Sequence, residues 1–387
     1  MSEIKVNSIK GVGASSAAIT VNNTDGTCTA NITNNLSNRN LIINGAMQVA
    51  QYGTSSNEDG YNTCDRFRYD KGGTDENPTQ AQGILGSGDT GPYEEGFRNS
   101  FRITNGDQTS VGAGDYIQLV HRIEAQNIAN SGWNYTSSLS KITFSFWVKS
   151  SVAQTMYVRL NAEDASRAYS FAFSATTSWS KITKTISGDS NLAFNNDTGI
   201  GLAVYFIPFY GTNYTTSGHT NDAWIADSGS DQVTDMTSTW YDANDATFEI
   251  TGVQFEVGSV ATDFEHRSYA DELRRCQRYY QKIDGSTSGT VFGVGNVDGP
   301  NQGQILVQLP VPLRAKASSM ETTGSSGDYK FRVRTTQNCD AVPTLATAGF
   351  TQQFLEWQAN GHGFNDAECA LGISGSSSSF LAFSAEL

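Results

Sequence analysis

Phe248 to Lys282 reads FEITGVQFEVGSVATDFEHRSYADELRRCQRYYQK, and this stretch decides the fold. Phe248 and Ile250 alternate with polar residues, as one face of a β-strand requires. The alternation slips at Thr251-Gly252 and resumes with Val253, Phe255 and Val257, so a glycine-centred bulge is expected there. Ser268 then stands as a helix N-cap, with Asp271 and Glu272 in the first turn. Tyr269, Leu273, Cys276 and Tyr280 recur at i, i+4, i+7 and i+11, which predicts one apolar stripe on a helix over 268–282. A helix this short needs something to pack on, either its own domain or copies of itself.

Upstream, the same alternation repeats. KITFSFWVK (141–149) sets Ile142, Phe144, Phe146 and Val148 against Thr143, Ser145, Trp147 and Lys149. Met156, Val158 and Leu160 continue it, then Tyr169, Phe171 and Phe173, then the run 201–207. Short strands separated by polar turns predict an all-β fold, a mainly antiparallel β-sandwich with one short amphipathic helix. The expected organisation is a sandwich over 41–265, a connecting helix within 266–284, and a second small β-rich unit over 285–387. Residues 1–40 hold too little apolar mass to bury a core alone.

Bulk properties exclude several classes. A formal charge of −14 makes the chain a poor candidate for displacing phosphate counterions, so nucleic acid is not an expected partner. No run of eighteen apolar residues occurs and the start MSEIKVNSIKG has no apolar signal core, so neither membrane insertion nor a secretory leader is expected. Five scattered cysteines, none at C-x-x-C spacing, read as free thiols. GSGDTG (86–91) matches G-x-G-x-x-G, but Pro92 follows and no helical period comes after it, so it reads as a polar loop.

Three blocks resemble segments of tail fibre and related adhesion proteins of tailed bacteriophages: the run from Gly252 to Lys282, LIINGAMQVAQYGT (41–54) followed by Asp65-Arg66-Phe67, and the opening MSEIKVNSIKG. Tyr52 stands where arginine is common in that family, and Phe67 where tryptophan is common. The resemblance implies a jelly-roll sandwich akin to carbohydrate-binding modules. It also implies a homotrimer mounted on other virion tail proteins through residues 1–40, released with the virion, and touching a host cell-surface glycan. A fibre adaptor or capsid-attached fibre is the alternative job for the same fold, and a glycan depolymerase the alternative class.

The segment from Pro208 to Ala246 carries the candidate receptor contacts: Tyr210, Tyr214, His219, Trp224, Trp240 and Tyr241 among Asn, Thr and Asp. Rings stack on the apolar faces of sugars while amides and carboxylates bond the hydroxyls. The same rings could instead pin the segment to its sandwich. Asp222, Asp227, Asp231, Asp235, Asp242 and Asp245 offer oxygens of the kind calcium takes, without EF-hand spacing; no other cofactor is expected. No catalytic residue is assigned, since Glu94-Glu95, Glu163-Asp164 and Asp242/Asp245 supply carboxylates without a distinguishing spacing.

Overall fold

The computed structural model describes residues 6–10, 12, 19–21, 28–30, 38–360 and 363–387. Most of the expected attachment segment, 1–40, lies outside them, together with His362. Within it, Ser8–Ile9, Ile19–Val21 and Cys28–Ala30 pair as a three-stranded antiparallel sheet.

From residue 41 the chain builds an antiparallel β-sandwich of jelly-roll type. The front sheet runs, edge to edge, Trp224–Ala226, Arg167–Ala175, Gln154–Ala162, Ile200–Tyr210, Tyr116–Glu124, Phe67–Gly72. The back sheet runs Ser180–Ser187, Lys141–Ser150, Thr247–Val257, Asn99–Thr104, Thr79–Ile84, Ser55–Ser56. The predicted inward residues Ile142, Phe144, Phe146 and Val148 are fully buried. They meet Phe171, Phe173 and Phe206 of the front sheet, with Phe146 edge-on to Phe173 at 5.4 Å and to Phe206 at 5.1 Å. Each such buried ring contributes roughly 1.5–3 kcal/mol, and edge-to-face pairing adds to that.

The bulge is where the glycine stands. Register along Thr247–Val257 shifts between Thr251 and Gln254, Gly252 adopts φ +61°, and a Cβ there would lie 2.7 Å from the Phe97 ring. The helix is shorter than expected, Tyr269–Gln277, capped by Ser268 Oγ, which accepts the Asp271 N–H at 3.2 Å. Tyr280 and Lys282 do not continue it. They belong to the strand Tyr280–Asp284, drawn out by antiparallel pairing with Phe380–Ser384. Of the predicted stripe, Cys276 and Tyr280 are buried and Leu273 is half-buried, whereas Tyr269 is 56% exposed.

Residues beyond 280 form a three-stranded sheet (Tyr280–Asp284, Phe380–Ser384, Ser319–Glu321) and a seven-stranded one. The latter runs Thr336–Asn338, Tyr329–Arg332, Cys369–Ser374, Val291–Val297, Gln302–Gln308, Gln352–Gln358, Thr344–Ala348. Trp357, Tyr329, Phe331, Ile305 and Phe383 share its core. Among the described residues no helix is long and apolar enough to cross a membrane.

Candidate functional site

The blocks that are most recognisable in the sequence converge in space on a buried polar junction. Leu41 N–H donates to Phe255 O and Val253 N–H to Gly45 O, both at 2.9 Å, so 41–45 runs along the bulged strand. Asn44 bonds the backbone of Val49 and Asp65 through its side chain, and its own N–H reaches Glu272 at 2.5 Å. Glu272 is therefore buried on the helix, where Arg267 pairs with it at 3.4 Å. Asp65 accepts from Gln51 N–H at 2.7 Å and from its amide at 2.5 Å, and burial pushes its carboxyl up to about 7.

Around this centre the two β units are tied together. Burial opposes the charge of Glu124, but hydrogen bonds from Arg278 (2.7 and 2.8 Å) and Tyr279 (2.6 Å) win, holding its carboxyl below the ordinary range. Arg66, fully buried, lies 3.4 Å from the centre of the Tyr279 ring and pairs with Glu386. Tyr52 stacks on Tyr280 at 3.6 Å and donates to Glu386 at 3.2 Å. Arg314 holds the backbone oxygens of Ala385, Glu386 and Thr198 at 2.6–2.9 Å. Every one of these groups is spent on another part of the same chain.

The six candidate contacts of 208–246 do not form one site. Trp240 and Tyr241 are fully buried at the end of the sandwich core, with Tyr241 stacked 4.3 Å from Phe209 and bonded to Asp115. Tyr210 is buried against Gln118, and Tyr214 half-buried beside it and Tyr116. Trp224 sits in the edge strand Trp224–Ala226, its ring 5.4 Å from Tyr169 and its N–H on Ser187 O at 2.9 Å. Tyr210 and Tyr214 pin the segment to the outer face of the front sheet, while Trp224, Trp240 and Tyr241 anchor it to the sandwich core.

His219 completes the pinning. Its Nε2 meets Ser170 Oγ at 2.5 Å and its Nδ1 meets Asp231 at 2.7 Å. The order Ser–His–Asp matches a hydrolase relay, but the surroundings do not. Ser170 lies mid-strand, 2% exposed, its hydroxyl also bonded to Asn221 at 3.0 Å, which leaves no approach for a carbonyl carbon. The segment's acids go to separate partners: Asp222 to Lys184, Asp227 to Arg159, Asp235 to Thr215, Asp242 to Ser238. No group of three or more metal-ligating side chains occurs among the described residues.

The GSGDTG turn is likewise structural. Asp89 accepts from Trp179 Nε1 at 2.9 Å and Lys149 at 3.3 Å, and Glu95 from Trp147 Nε1 at 3.0 Å and Lys181 at 3.1 Å. Gly91 has φ +95°, and a Cβ there would lie 2.6 Å from the Trp147 ring.

Across the front sheet runs a strip that no motif marks, mostly covered, with Tyr205, Arg68 and Arg122 half-buried. Ser170, Arg159, Tyr205, Val120 and Arg68 lie in direct register across five strands, and Ala168, Asn161, Ala203 and Arg122 form the neighbouring row. Tyr205 is half-buried, and burial raises its hydroxyl above the usual phenol value, so it is a neutral donor. The Arg159 guanidinium sits 5.8 Å from that ring and pairs with Asp227. Arg159 Nε and Asn161 Oδ1 are buried with no hydrogen-bond partner among the described residues, although Asn161 donates to Glu163 at 2.9 Å. Arg122 and Tyr61 both reach the backbone oxygen of Leu387 beside the strip. A partly open ring, three guanidiniums, an amide and two rim carboxylates suit a ligand rich in hydroxyls.

No protein-family model and no curated protein matches the chain. Solved structures are similar over rather more than half of it. One is the enzymatically active domain of bacteriophage CBA120 tailspike protein 4, at 8% identity and TM-score 0.30, covering 57% of this chain and 21% of that one. The family 11 carbohydrate-binding module of a Clostridium thermocellum cellulosomal cellulase has 12% identity and TM-score 0.25, over 55% of this chain and 98% of the module. The N-terminal cellulose-binding domain of Cellulomonas fimi β-1,4-glucanase C has 10% identity and TM-score 0.25, over 55% and 100%. This chain thus spans about a fifth of the tailspike domain's length. At these identities and TM-scores the overlaps carry no argument about what the chain binds.

Proposed function

We propose that this chain is a bacteriophage virion protein of tail-fibre type that contacts a host cell-surface glycan through this strip of the front sheet. One observation carries the reading. Tyr205 is half-open, while the buried Arg159 Nε and Asn161 Oδ1 beside it lack partners. Those two atoms are sealed from solvent, so what is offered to a hydroxyl-bearing ligand is the Tyr205 ring itself. The ring offers a stacking face, Arg122 and Arg68 further donors, Asp227 and Glu163 acceptors. The sequence blocks resembling phage adhesion proteins support the virion setting, and with it a homotrimer mounted on other tail proteins through residues 1–40. The reading needs no catalytic step.

The test is retention of purified protein on host surface polysaccharide, with competition against phage adsorption. Wild type is expected to bind and to block adsorption. Tyr205→Ala is expected to lose binding by about tenfold, about 1.4 kcal/mol, while melting at nearly the same temperature. Wild-type protein that neither binds host polysaccharide nor competes with phage ends the proposal.

A further inference from the structure

We infer that the cleft beside the helix Tyr269–Gln277 binds an acidic saccharide, whose carboxylate is held by Arg274 and Arg275. The cleft measures about 1140 Å³ and lies between that helix, the segment 263–268 and Val311-Pro312 of the C-terminal unit. The whole chain carries 39 acidic against 25 basic residues, yet five arginines and only three carboxylates line this cleft. Three of the arginines are already held: Arg267 by Glu272 at 3.4 Å, Arg278 by Glu124 at 2.7 Å and Arg39 by Glu256 at 3.4 Å. Two of the carboxylates are engaged as well. Glu265 accepts the Asn38 and Asn40 N–H groups at 2.7 and 2.8 Å, and Asp271 accepts the Ser268 hydroxyl at 2.6 Å. The third, Asp263, is exposed. Arg274 and Arg275 form no ion pair among the described residues, and Arg275 donates to the Asn38 side-chain oxygen at 2.5 Å.

Arg275 is half-buried, and one neutral amide offsets poorly the loss of water around a guanidinium. Burial, joined by the like charge of Arg267, lowers the Arg275 pKa against the pull of Glu272, Glu265 and Asp271. A carboxylate would bring the missing counter-charge in the two-pronged bond that guanidinium geometry favours. The surroundings select the kind of molecule. Arg275 also lines an adjoining hollow of about 350 Å³ with Asn127, Asn130 and Ser131. Amides and a hydroxyl there match the hydroxyls of a sugar. No strand edge lines the main cleft, so an extended acidic peptide has no ladder to join. The chain's own upstream segment lacks the charge: residues 1–37 set Glu3 and Asp25 against Lys5 and Lys10. The ligand class rests on the glycan reading, but the cleft shares no residue with the strip.

Titration calorimetry on the full chain with oligogalacturonate tests it, with neutral xylo-oligosaccharide and polyglutamate as comparators. Wild type is expected to bind oligogalacturonate and neither comparator. Arg275→Gln is expected to weaken that binding about tenfold. Because Arg275 also holds Asn38, Arg274→Gln at an exposed position is the second variant, expected to weaken binding about threefold, as an exposed ion pair does, with unchanged melting. The inference is overturned by a wild type that leaves oligogalacturonate unbound, by either comparator bound as tightly, or by wild-type affinity in both arginine variants. Loss of oligogalacturonate binding in Tyr205→Ala would move the contact to the strip and overturn it too. The strip itself is judged by retention on host polysaccharide, a separate measurement.

Discussion

The junction and the strip of the front sheet are built from the same residue types, arginine, tyrosine and carboxylate, to opposite effect. At the junction Arg66, Arg267, Arg278 and Arg314 all end on partners in their own chain. On the strip Arg159 and Asn161 keep buried atoms with no partner among the described residues, as Arg66 Nε does at the junction, but they lie beside a ring that is partly open. The lesson is that recognisable sequence and recognising surface need not coincide. The junction's residues come as contiguous blocks because local turns, caps and a bulge must all be specified together. The strip's residues come one or two per strand.

That contrast can be broken most forcefully at the junction. Arg66→Ala leaves Glu386 buried without its cation and strips the Tyr279 ring of its guanidinium, so it should cost about 3–5 kcal/mol in denaturant unfolding. A loss below about 1 kcal/mol would mean that the junction is not held by charge. Any folded fraction should still bind glycan, since the strip is untouched.

A second, smaller effect is set by pH. Burial lifts the Asp65 carboxyl to about 7 from 3.8, so the native state holds a proton that the unfolded chain releases. Its contribution to stability is complete below about pH 4 and is lost as pH rises through 7. Melting temperature should fall across that window, and Asp65→Asn, which stays neutral, should flatten the curve. Glu386, also raised by burial against the pull of Arg66, acts in the same direction and leaves a residual slope. A curve of equal slope in Asp65→Asn would assign the pH dependence elsewhere.

The smallest effect on folding, and the largest on binding, belongs to the strip. Tyr205→Ala should change stability by no more than about 1 kcal/mol while weakening retention on polysaccharide about tenfold. Trp240→Ala is its opposite: a fully buried ring whose loss should cost about 3–5 kcal/mol with binding by the remaining native protein unchanged. If the two variants behaved alike, the distinction between pinned rings and open ring would fall.

Much of the fold was legible in order. Alternation placed Phe144, Phe146, Phe171 and Phe173 in the core, the slip at Thr251-Gly252 marked the bulge, and Ser268 marked the helix start. The helix end was not legible, because Tyr280 is claimed by Phe380–Ser384, a strand about a hundred residues downstream. Trp240 and Tyr241 lay in a polar context that left two readings open, sugar contact or pinning to the sandwich, and they close the end of the sandwich core. The strip left no signal either. Arg68, Arg122, Arg159 and Tyr205 meet only through register across four strands, and only the outward phase of the alternation, read strand by strand, could have gathered them.

The bond from Arg66 to Glu386 spans 320 residues. At ~5–20 residues per second on the ribosome, about 15–60 s separates the synthesis of the guanidinium from that of its counter-charge. Until Glu386 is made, the Arg66 guanidinium lacks the carboxylate it pairs with in the native fold. The stability of the sandwich is thereby coupled to a residue made up to about a minute later.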